Sequence, residues 1–155
     1  MNRLMHIVAL LAVILLCANC STTRKLEADA VPMGYTELQN YYVSNTVSVK
    51  QPFRHVFTTE EEFSRYFGEA ATMSPNGQPT VVNWGTQYVL AVINPSTDRA
   101  TRMYPVSVLQ NGDAIIFNYK VEKGEKQSYT TTPYVAVVLD KPVSQQQYTF
   151  YYNEK

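Results

Sequence analysis

The sequence predicts an α+β domain, mainly antiparallel β as a sandwich or half-barrel, with one amphipathic helix packed on the sheet. Three observations predict it. Short apolar runs rich in β-branched and aromatic residues recur through the second half, each bounded by Gly, Pro or Asn. One stretch alone, "TTEEEFSRYFGEAA" at 58–71, combines a capping pattern with apolar residues at helical spacing. The 12 tyrosines suit strands better than a helical bundle.

In order along the chain, "MNRLMHIVALLAVILLCANC" begins with Arg3 and carries ten uncharged apolar residues from Ile7 to Leu16. A membrane-crossing helix needs about 20, so residues 1–19 read as a secretory leader. Residues 20–34, with mixed charge and few aromatics, read as a tether, and 35–155 as one β-rich domain. "YYVSNTVSV" at 41–49 suits a first strand. Thr58 or Thr59 is placed to cap the helix, with Glu60, Glu61 and Glu62 at its positive end. Phe63, Tyr66, Phe67 and Ala70 then form one apolar stripe. The three glutamates point about 100° apart on a helix and do not converge on a metal.

Strands follow at "TVVNW", "QYVLAVI", "TRMYPVSVL", "AIIFNYKV", "QSYTTTPYVAVVL" and "QQYTFYY". Asn111-Gly112 gives a hairpin turn between the third and fourth. Val135 to Leu139 is apolar without a break, as in a strand covered on both faces. Tyr104-Pro105 lies inside a strand, which places Pro105 at an edge or a bulge.

The leader ending in a cysteine followed by "STTRK" resembles a bacterial lipoprotein signal. In that family the cysteine is acylated and becomes the first mature residue. Cys20, preceded by Asn19, fits better than Cys17, preceded by the larger Leu16. The resemblance implies a membrane-anchored protein of the cell envelope. No cysteine follows position 20, so the domain contains no disulfide, thiol nucleophile or Cys-based metal site. Loss of Arg3 takes one cation from 13 basic and 13 acidic residues, and no like-charge block points to nucleic acid. His55 is the sole histidine after the leader and reads as structural. There is no Gly-x-Ser-x-Gly elbow, paired-His motif or phosphate loop. The reading is a protein that acts by binding, without catalysis, cofactor or metal.

The candidate contact is the stretch after "YVLAVI": Asn94, Pro95, Ser96, Thr97, Asp98, Arg99 and Arg102. Asn-Pro-Ser-Thr is turn chemistry, and the flanking charges add steering to a loop. A second loop is expected around Thr132, Pro133 and Tyr134, following Thr130 and Thr131. Trp84, the single tryptophan, is a candidate sugar platform with nearby tyrosines.

The succession "TTEEEFSRYF", "YVLAVI", "YPVSVLQNGDAIIFNYKV" and "TTPYVAVVLDKP", covering residues 56–142, resembles the C-terminal domain of PrcB-like proteins. "TPYVAVVLDKP" is its most specific piece. The resemblance implies a small β-rich module that binds, stabilises or restrains an envelope protease. That family has a Gly-rich loop after the buried strand, whereas residues 94–102 contain no glycine. "NPST" is also similar to the Asn-Pro-Thr-Thr loop of chagasin-type cysteine-protease inhibitors, whose other two motifs have no counterpart. The alternative expectation is a glycan-binding or surface-assembly lipoprotein.

Overall fold

Ten strands carry the fold in the computed structural model, which describes residues 25–74, 76–142 and 147–155. The expected anchor, Cys20, and the leader lie outside the described residues. β6 (Gln87–Ile93) and β9 (Tyr134–Asp140) are the two most continuously apolar strands, and such strands need cover on both faces. They pair antiparallel at the centre of one sheet, flanked by β2 (Thr36–Glu37) beside β9 and β4 (Phe53–Phe57) beside β6. This is the central sheet. The outer sheet runs in the order β1 (Val31–Pro32), β7 (Thr97–Asn111), β8 (Ala114–Thr131) and β10 (Thr149–Glu154). The arrangement is sandwich-like and mostly antiparallel.

Alternation explains the packing between the sheets. Leu90, Val92, Val137 and Leu139 of the central sheet meet Val108, Ile115, Phe117 and Tyr119 of the outer one. The intervening residues Val89, Ala91, Ile93, Ala136 and Val138 face the other way. There Leu38, Val43, Phe57, Phe63 and Phe67 cover them. The unbroken apolar pattern of β6 and β9 thus has its cover on both faces.

That second cover differs from the expected long helix. The helix α1 (Glu60–Ser64) has five residues, capped by Thr59, whose hydroxyl accepts the Glu62 N–H at 3.3 Å. The N–H groups of Arg65 and Tyr66 then bond three residues back, to Glu62 and Phe63, which tightens and ends the helix. Phe67 already belongs to β5 (Phe67–Glu69), paired with β3 (Tyr41–Val43). A Cβ at Gly68 would lie 2.5 Å from Cζ of Tyr42, so glycine here lets that exposed ring lie across the strand. The apolar stripe is therefore divided, with Phe63 on the helix and Phe67 on a strand. Thr59→Ala should lower stability by about 1 kcal/mol, read as a lower urea midpoint at unchanged slope.

Further differences are local. The segment "PFRHVF" contains β4, and His55 Nε2 lies 2.7 Å from Glu62 Oε1, joining that strand to α1. "TVVNW" is not a strand, and the stretch expected as the first strand follows β1 and β2 and stops at Val43. β10 runs parallel to β8 rather than antiparallel. The hairpin turn consists of Gly112 and Asp113, with φ +60° at Gly112, because Asn111 still pairs with Ala114. Positive φ at the first loop position is the type II′ requirement. At Pro105 the expected bulge is present, between Pro105 and Ser107.

Residues 25–34, within the expected tether, lie on the outer sheet. Residues 25–28 are helical. Asn111 Nδ2 donates to the Leu26 carbonyl at 2.9 Å, and Met33 N–H donates to Val108 O at 2.8 Å. Lys155 Nζ lies 2.8 Å from both Glu27 oxygens, and Asn153 Nδ2 donates to Oε1 at 3.1 Å. Burial alone would raise the Glu27 carboxyl, but the bonds from Lys155 and Asn153 hold it below its ordinary value.

Candidate functional site

β6 and β9 pair in the central sheet, whereas β7 and β8 pair in the outer one. The two connections, β6 to β7 and β8 to β9, therefore pass between the sheets side by side. Asn94 N–H donates to Pro133 O at 2.9 Å, and the Ser96 and Thr132 hydroxyls lie 2.8 Å apart. Thr97 then stands opposite Thr131. From Gln87 opposite Asp140 to Asn111 opposite Ala114, the chain is one long antiparallel ribbon folded over on itself. The two stretches expected as separate contact loops meet at its bend.

The expected loop at 94–102 is corrected accordingly. Only Asn94, Pro95 and Ser96 form the connection; Thr97, Asp98, Arg99 and Arg102 belong to β7. Irregular pairing is the reason this segment reads as a loop. Between Thr97 and Arg99 the partner runs from Thr131 back to Lys126, and between Arg99 and Thr101 from Lys126 to Lys123. The surplus on β8 bows that strand around the bend. Gly124 allows the close approach, since a Cβ on it would sit 3.1 Å from the Ala100 carbonyl oxygen.

Side chains along the bend are mostly exposed and hold one another. Asp98 Oδ2 pairs with Lys126 Nζ at 3.2 Å, and Arg99 Nη1 donates to Gly124 O at 3.4 Å. The Thr97 hydroxyl accepts the Arg99 N–H at 3.2 Å. Arg102 stands 5.3 Å over the Tyr104 ring, and Tyr104 donates its hydroxyl to Glu122 at 2.6 Å. That bond raises the Tyr104 pKa. The exposed ion pair contributes little to stability.

The second expected loop is only partly presented. Thr132 is half-buried and Pro133 buried at the crossing. Tyr134 opens β9, packs on Phe67 with ring centres 5.1 Å apart, and donates its hydroxyl to Tyr41 O at 2.8 Å. It is a structural tie between the central sheet and β3.

Trp84 stands elsewhere, on the cover of the central sheet. It packs against Phe63 with centroids 5.3 Å apart, and Lys141 Nζ donates to its carbonyl. With Tyr41, Glu60, Glu69 and Gln78 it lines a groove of about 540 Å³. The carboxylates and the amide in this groove were not anticipated from sequence, because they come from three separate segments. Among the described residues no group of three His, Cys, Asp or Glu is placed to hold a metal ion. No family model matches this chain, and neither does a curated protein or a solved structure.

Proposed function

We propose that this chain is a non-catalytic lipoprotein of the cell envelope, anchored through acyl groups on Cys20, that binds an envelope protease as a stabiliser or inhibitor-like module. The observation that carries the reading is the bend of the ribbon. It gathers Asp98, Arg99, Arg102, Lys123 and Lys126 on exposed backbone, and their side chains add nothing to either core. Exposed charge of mixed sign steers association and selects partners more than it stabilises a fold. Among the described residues, β1 and the adjoining Met33 bond β7 only at Val108, Leu109 and Gln110, which leaves the edge beside the bend without a strand. An extended segment of a partner has room to add there. Passing detergent-solubilised envelope over immobilised residues 21–155 should retain a protease whose activity or lifetime changes on binding. Retention of no protease at all would overturn the reading.

A second reading, a glycan-binding accessory lipoprotein, is favoured by the groove at Trp84. Aromatic faces beside carboxylates and an amide are suitable chemistry for stacking and hydrogen-bonding a sugar. Trp84 fluorescence should respond to envelope oligosaccharides in that case. An unresponsive indole would remove this reading.

A further inference from the structure

The docked N-terminal segment fixes how far the domain can stand from its anchor. Asn111 beside the β7–β8 turn holds the Leu26 carbonyl, Lys155 and Asn153 hold Glu27, and Val31 and Pro32 pair with Gln110 and Leu109. The chain thus joins the domain at Lys25, on the half of the outer sheet that ends in the turn at Gly112 and Asp113: Asn111 adjoins that turn, and Asn153 stands opposite Asn118 of β8. From Cys20 to Lys25 are five chain steps, which reach at most about 18 Å when fully extended. A tether free as far as Gly34 would reach about 50 Å. A domain of this size is itself about 35 Å across, so the shorter leash is too short for it to turn over freely.

We infer that the hairpin end of the outer sheet, at Gly112 and Asp113, is held at the lipid surface, and that the ribbon bend stands away from it. The inference rests on the proposed acylation of Cys20. The bend lies at the other end of β7, up to about 45 Å from the turn along the strand. In the sequence Arg24 immediately precedes the docked segment and Lys25 opens it, where two cations suit anionic headgroups. The same geometry places the candidate contact surface where a partner reaches it unobstructed by the bilayer.

The test uses the full acylated chain in vesicles of phosphatidylethanolamine and phosphatidylglycerol, some lipids carrying a headgroup quencher. A fluorophore is attached at Asp113→Cys or at Glu125→Cys, both exposed positions. Flotation with the vesicles reports anchoring independently. Quenching several-fold stronger at position 113 than at 125 is expected. A flexible Gly-Ser spacer of about 15 residues inserted between Arg24 and Lys25 should remove most of the difference. Chains that float but quench equally at both positions overturn the orientation alone. Chains that do not float overturn the anchoring and the orientation with it.

Discussion

Phe57→Ala is expected to lower the unfolding free energy by about 3–5 kcal/mol, a large share of a typical domain's stability. Phe57 has no exposed surface. Its ring lies 5.6 Å from that of Phe63, 5.8 Å from Phe67, 5.2 Å from Tyr66 and 4.6 Å from His55. It joins edge strand β4 to both α1 and β5, so truncation opens a cavity that three elements would have to collapse into. Phe63 in turn supports Trp84. Urea unfolding followed by Trp84 fluorescence should therefore show an earlier midpoint and a red-shifted native signal. Phe57→Leu, which keeps much of the volume, should lose less. Equal midpoints for the alanine variant and the parent would mean that the cover over the central sheet is not packed as described.

The second large effect is alkaline unfolding. Burial pushes Tyr88 and Tyr134 up to about 12, and Tyr152 further still. The folded protein thus holds these protons more tightly than the unfolded chain, where tyrosine titrates near pH 10. Their contribution is complete below about pH 10 and is lost as the pH rises from there through about 12. At about 1.4 kcal/mol per unit, Tyr88 and Tyr134 each account for roughly 2–3 kcal/mol of that loss. Urea midpoints should fall steeply across this window, with tyrosinate absorbance rising in step. Among the described residues, the Tyr88 and Tyr152 hydroxyls lack a hydrogen-bond partner. Phe at either position should therefore cost little at neutral pH while flattening the alkaline loss. An unchanged slope in the double variant would contradict the burial of these hydroxyls.

What was legible in the sequence follows from how local its cause is. The buried strands β6 and β9 announce themselves because cover on both faces demands an unbroken apolar run. The hairpin at residues 111–114 and the Thr59 cap depend on a few adjacent residues, and both are present. The helix length was not legible. Phe63, Tyr66 and Phe67 satisfy helical spacing equally well when a short helix runs through a tight turn into a strand. The parallel pairing of β10 depends on which edge remains open after the ribbon folds, which no local pattern records. The candidate site shows the same division. Its residues were identified as a charged, turn-rich stretch. Their assembly with residues 123–134 into one bend depends on a strand register broken twice between Thr97 and Thr101.

That bend is where the proposed function stands or falls. Asp98, Arg99 and Arg102 are exposed and contribute to neither core. Changing all three to Ala should leave the unfolding free energy within about 0.5 kcal/mol of the parent's. The decisive measurement is retention of envelope protease on immobilised residues 21–155, parent against this triple variant at equal loading. The account predicts that the parent retains a protease and that the folded variant loses most of it. Equal retention by both would contradict the assignment of the bend as the contact surface.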